Sequence, residues 1–138
     1  MKLSLMLEKE IKTERLIIKS PQMDDAVDLT RLINDKSVVK WLSDIPFPYT
    51  VRHAEEFIER SQEKALKNES YNFMIFQKNK MLGGIGLTEF RNQSCELGYW
   101  LGKKYWRYGF ATEAVTGMLD FGFIQLNLIE IFASYKIG

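Results

Sequence analysis

Three apolar runs stand almost back to back in the middle of this chain, separated only by short polar turns, and they restrict its fold more than any other feature. Residues 71–77 read Tyr-Asn-Phe-Met-Ile-Phe-Gln, residues 81–90 are apolar and glycine-rich, and residues 94–101 read Ser-Cys-Glu-Leu-Gly-Tyr-Trp-Leu. Lys78-Asn79-Lys80 and Arg91-Asn92-Gln93 divide them. Such short connections allow antiparallel neighbours and leave no room for a crossover. Gly83, Gly84 and Gly86 in the middle run predict backbone crowding or a bulge.

Helical patterns flank this block. After a β-branched run at 16–20, led in by Thr13-Glu14-Arg15, Asp24 and Asp25 open a helix with apolar positions Ala26, Leu29, Leu32 and Ile33. Residues 38–42 form a short apolar piece, read as another helical turn, and Pro46-Phe47-Pro48 is a loop that no helix crosses. Thr50 is placed to cap a helix over 51–66. A further helix runs from Gly109 to about Gln125, with Ala111, Ala114, Val115, Met118 and Leu119 on one face. Residues 128–133 form a last strand. The order β-α-α-β-β-β-α-β predicts an α/β chain of the α+β type: a mixed sheet, antiparallel at first, then parallel across the last helix.

Composition narrows the function. The 138 residues suit one domain, and 46% are hydrophobic and 27% charged. A net charge of +1 argues against a broad surface for nucleic acid or anionic membrane. No apolar stretch approaches the roughly 18 to 20 residues that span a bilayer. The start does not read as a signal peptide, since Glu8 interrupts its apolar run. A lone cysteine, Cys95, excludes an intramolecular disulfide and a multi-cysteine metal site, and fits a reducing, cytoplasmic setting. In a strand it reads as a packing residue.

The chemistry concentrates between Glu96 and Ala114. A strand ends at Trp100-Leu101-Gly102, a basic and aromatic loop follows with Lys103, Lys104 and Arg107, and Gly109-Phe110-Ala111-Thr112-Glu113-Ala114 begins a helix. A helix start carries unpaired N–H groups and partial positive charge, and small residues there let a phosphate approach closely. The loop lacks the Gly-Lys-Ser/Thr ending of a Walker loop and the spaced glycines of a dinucleotide fingerprint. Two readings of Gly109 compete on physics alone: phosphate binding, or a glycine that lets the helix pack on its strand.

At these residues the chain resembles the GCN5-related N-acetyltransferases, closest to the branch of ribosomal-protein N-terminal acetyltransferases. The resemblance rests on Glu96-Leu97-Gly98-Tyr99-Trp100-Leu101 and Tyr105-Trp106-Arg107-Tyr108-Gly109-Phe110-Ala111-Thr112-Glu113-Ala114, with support from Thr13-Glu14-Arg15-Leu16 and the element order. Gly109 and Ala111 match the last defined positions of the family's Gln/Arg-x-x-Gly-x-Gly/Ala loop, while Trp106 stands where glutamine or arginine is more general. The resemblance implies acetyl-coenzyme A as co-substrate and no metal. Amides of Arg107, Tyr108, Gly109, Phe110, Ala111 and Thr112, with Trp106, would hold the diphosphate, and the main chain of Tyr99, Trp100 and Leu101 would pair with the pantetheine arm beside a last strand that splays away.

The implied acceptor is a primary amine, of a protein N-terminus or a small molecule, in a pocket that includes Trp41, Phe47 and Tyr49. These aromatics read equally as core. Glu96 matches a glutamate frequent in this branch and is the candidate base, against a structural or substrate-orienting role. His53, at a helix start, reads as a solvated residue before it reads as a base, and Glu113 as a favourable partner of the helix dipole.

The family continues past its last matching strand with a helix and a hairpin, for which residues 134–138 leave no room. The resemblance thus implies a C-terminally truncated domain with an exposed edge that a homodimer would cover. It also leaves open a catalytically impaired acyl-coenzyme A-binding or interaction module, and, more remotely, a small binding domain without coenzyme.

Overall fold

A strand buried on both faces has no polar side to show, and the run at 71–77 has almost none. In the computed structural model, which describes residues 10–40, 42 and 45–133, this run is β3 (Tyr71–Gln77), third in a sheet of six. Its side chains alternate between two cores, as the period of a strand requires. Tyr71, Phe73 and Ile75 pack in one, and Met74 and Phe76 in the other.

The sheet runs β1 (Glu10–Lys12), β2 (Ile17–Lys19), β3, β4 (Lys80–Arg91), β5 (Ser94–Leu101) and β6 (Glu130–Ala133), in spatial as in chain order. Every pairing is antiparallel except β5 with β6, which is parallel. The mixed sheet expected from the element order is therefore present. Helices α1 (Ala26–Ile33) and α3 (Val51–Leu66) bury Leu29, Ile33, Ala54 and Ile58 in the same core as Met74 and Phe76. A short α2 (Lys36–Val39) adds Val38 to that core. Helix α4 (Phe110–Asp120) buries Phe110, Ala114 and Met118 in the core of Phe73 and Ile75.

The structure adjusts three boundaries. The lead-in at Thr13-Glu14-Arg15 is a turn, closed by the Thr13 N–H donating to the Leu16 carbonyl at 2.9 Å. Before it lies β1, which the sequence reading lacked because Glu-Ile-Lys offers a single apolar residue. Helix α4 passes at Phe121 into a π-helical turn, Phe121–Gln125, which brings Phe121 and Gly122 into the core. The last strand pairs only from Glu130, two residues later than expected, while Leu128 is already buried.

The Thr50 cap forms as expected. Its hydroxyl accepts from the His53 N–H at 3.1 Å, and His53 Nδ1 accepts from the Thr50 N–H at 3.0 Å. The glycine-rich run carries the expected irregularity: Leu82 is extra between the pairs Ile75–Gly83 and Phe76–Met81. Gly83 is there because a Cβ would collide with the Trp100 carbonyl oxygen of β5.

Candidate functional site

Among the described residues, β5 is paired on both sides along 94–97. Residues 94–97 face β6, from Ser94–Glu130 to Leu97–Ala133. Residues 98–101 pair with β4 alone among the described residues. The Gly102 N–H donates toward β4, to the Leu82 carbonyl, at 2.8 Å. The backbone groups of successive strand residues alternate in direction, so those of Leu101 and Tyr99 point away from β4. The Leu101 carbonyl indeed turns away from β4 and accepts from the Trp106 indole Nε1 at 2.9 Å. Trp106 thus fastens the following loop to the end of β5 with its side chain, a role its place in the motif did not suggest.

The loop tightens through a 3-10 turn, Lys103–Tyr105, then passes through left-handed backbone at Arg107 (φ 70°) and Gly109 (φ 81°). The first bond of α4 runs from the Glu113 N–H to the Gly109 carbonyl at 3.1 Å. The N–H groups of Phe110, Ala111 and Thr112 therefore precede the helical ladder, at the positive end of the dipole. The surroundings of Gly109 bear on the packing reading. Among the described residues a Cβ there would meet only Arg15 Nη2, at 3.3 Å, so the glycine serves the backbone angle. It does not serve helix–strand packing.

Arg15 was not foreseen at this loop, for it comes from the other end of the chain. Its Nη1 donates to the Tyr108 carbonyl at 3.0 Å, its Nε to Glu113 Oε1 at 2.7 Å, and its guanidinium lies 4.5 Å from the centre of the Phe110 ring. Glu113 Oε2 also accepts from the Arg15 N–H at 2.7 Å and from the Thr13 hydroxyl. Burial raises the Glu113 pKa, but the bonds from Thr13 and from the Arg15 backbone and side chain outweigh it and hold the carboxyl below its ordinary value. Glu113 is a clamp between the β1–β2 turn and the loop, more than a dipole partner. Arg15 joins Lys103, Lys104 and Arg107 as a fourth cation at this end of the sheet, and the last three are solvent-exposed.

On the α1–α3 face, a cleft of about 450 Å³ leads to the same half of β5. Leu29, Ile33 and Phe57 wall it from the helices, and Leu42, Ile45 and Tyr49 from the connection between them. Gly84, Gly86 and Gly98 form a floor without side chains, and Tyr99 and Trp100 border it. The Asn34 side chain holds Tyr49 at the rim: Nδ2 donates to the Tyr49 carbonyl at 2.6 Å, and Oδ1 accepts from its N–H at 2.7 Å. Of the expected pocket aromatics, Tyr49 lines this cleft, Phe47 is 45% exposed and does not, and Trp41 lies outside the described residues. The helical residues that do line it read in sequence only as a core stripe.

Glu96 pairs with Thr88 of β4 and, by strand alternation, shares the face of Gly98 and Trp100. Trp100 lies across Gly84, where a Cβ would sit 2.6 Å from its Nε1. Tyr99 and Tyr108 are exposed. Of the remaining loop residues, Phe110 is buried, Ala111 half-buried and Thr112 exposed. His53 is held in its cap, its ring 5.4 Å from that of Tyr49. Cys95 is buried, and burial, helped by the neighbouring Glu96 charge, pushes its thiol up to about 11. Among the described residues no helix is long and apolar enough to cross a membrane.

These features have relatives. The uncharacterized N-acetyltransferase p20 of Bacillus licheniformis is 34% identical over 128 residues, spanning 90% of this chain and 71% of that one. The crystal structure of a GNAT-family acetyltransferase from Bacillus anthracis matches with a TM-score of 0.78 at 25% identity, covering 91% of this chain and 72% of the other. RimL, the ribosomal L7/L12 α-N-protein acetyltransferase solved with coenzyme A, has a TM-score of 0.85 over 94% of this chain and 76% of its own; at 13% identity it shares the fold alone. The Acetyltransferase (GNAT) domain profile matches residues 15–138. The chain belongs to the GNAT family of acetyltransferases.

Proposed function

We propose that the protein transfers an acetyl group from acetyl-coenzyme A to a primary amine, and that the loop before α4 and residues 98–101 of β5 hold the coenzyme. The observation that carries this reading is the conjunction of three features at one place. The left-handed turn at Gly109 turns the unpaired amides of the helix start toward the end of β5, residues 98–101 pair with β4 alone among the described residues, and the cleft reaches the same residues from the other side.

In this reading the amides of Phe110, Ala111 and Thr112, with those of Arg107, Tyr108 and Gly109, receive the diphosphate, and the nearby cations strengthen the field. The backbone of Tyr99, Trp100 and Leu101 takes the pantetheine arm as an added strand. The co-substrate supplies an activated acyl carbon as a thioester. The Tyr99 N–H, which points away from β4, would donate to an oxyanion. Glu96, on the cleft face of β5, orients the amine or takes its proton. An α-amine, with a pKa of about 7.7 to 8.0, needs less help than a lysine side chain at about 10.4.

The test is release of free thiol from acetyl-coenzyme A on addition of an amine, with the acetylated amine identified by mass. The expected result is amine-dependent release that Glu96→Gln slows. Coenzyme binding without release under any amine would instead support a binding module.

A further inference from the structure

We propose that the acceptor is a monoamine with an uncharged, mainly apolar body, and that Gly98 sets the size of body admitted. This rests on the acetyl-transfer reading above and concerns only which amines are used. The argument is the chemistry of the cleft. Its described lining contains no Asp, Glu, Lys, Arg or His. A second ammonium or a carboxylate beside the reacting amine would have to shed water there without an opposite charge. The acid that the strand pairing places beside the floor is Glu96, opposite Thr88, with Glu130 further along the same face opposite Ser94. An apolar trough with a carboxylate at its end matches an ammonium on an apolar body.

The walls Leu29, Ile33 and Phe57 offer aliphatic and aromatic contact, and Thr88 and Asn72 are the polar side chains of the floor. These can meet an amide of a peptide acceptor or remain solvated beside a simple amine. A volume of about 450 Å³ is in the range of small-ligand sites. Gly98 is a position where added bulk enters the cleft, since a Cβ there meets no atom of the described residues within 4 Å. Gly84 and Gly86 differ, because a Cβ would strike Trp100 or Asn72.

The experiment compares thiol release by the full chain with phenethylamine, leucine amide and Leu- or Phe-first peptides against spermidine and Asp- or Lys-first peptides. Coenzyme-dependent thermal stabilisation is measured on the same samples. The expected result is kcat/KM at least about tenfold higher for the apolar monoamines. The peptide and small-amine arms show which source of this chemistry is preferred. Gly98→Val should raise KM for phenethylamine while coenzyme stabilisation persists. Ile45→Asp, which brings a carboxylate to the rim, should shift the ratio of rates toward spermidine. Equal or better use of charged acceptors, or no response of the ratio to either variant, overturns the acceptor proposal and leaves acetyl transfer standing. Absence of both turnover and coenzyme stabilisation overturns the acetyl-transfer reading and this proposal with it.

Discussion

Removing the Glu113 carboxylate should loosen the chain far more than its place on an exposed helix start suggests. The side chain is 17% exposed and accepts from the Thr13 hydroxyl, the Arg15 N–H and the Arg15 guanidinium. Hydrogen bonds to a charged group contribute about 1.5 kcal/mol or more each. The Thr13 and Arg15 backbone bonds thus set a scale of about 3 kcal/mol. The guanidinium of Arg15, 39% exposed, adds less than about 1 kcal/mol after screening. Glu113→Ala should therefore lower unfolding free energy by about 3 kcal/mol, and Tm by about 10 °C for a domain of this size. Urea unfolding with matched slopes measures the first and calorimetry the second. Thr13→Val combined with Glu113→Ala should cost less than the sum of the single changes, because both remove one bond. A loss below about 1 kcal/mol for Glu113→Ala, or strict additivity, would refute the clamp. The pH dependence follows the same logic. The folded pKa is depressed, so the contribution is complete above the ordinary glutamate range and is lost as pH falls through the folded value. Glu113→Gln should flatten that part of the acid limb.

Two further predictions concern packing. Cys95, buried and with its thiol pushed up to about 11, should resist alkylation at pH 8 in the native state and react readily once denaturant unfolds β5; fast native labelling would contradict its placement. A Cβ at Gly83 would collide with the backbone carbonyl oxygen of Trp100, which cannot turn aside, so Gly83→Ala should cost about 1 to 3 kcal/mol in unfolding free energy, and a neutral result would mean that β4 and β5 are paired otherwise.

What the sequence showed and what it hid follow from the range of the interactions. The β3–β4–β5 block was legible because its turns are short and polar, and the α3 start because Thr50 and His53 cap each other within one turn. Gly109 was legible as a candidate and undecided as to cause, since only the fold gives its φ of 81° and its Arg15 neighbour. The Arg15–Glu113 pair was hidden because 98 residues separate its members. Leu29 and Ile33 were legible as buried but not as cleft walls, because helical spacing reports which face turns inward and not whether that face meets a neighbour or an open trough. Phe47 was chosen for its aromatic ring, and the loop turns it outward.

The direct test of the account is coenzyme A binding by the wild type and by Gly109→Val, measured by titration calorimetry and by Tm at millimolar ligand. The account predicts saturable binding and a clear rise in Tm for the wild type, since ligand at a hundredfold excess over Kd adds about 2.7 kcal/mol. For a folded Gly109→Val it predicts affinity at least about tenfold weaker, because a β-branched residue disfavours the left-handed turn. Equal affinity in the two proteins, or no binding by the wild type, would contradict it.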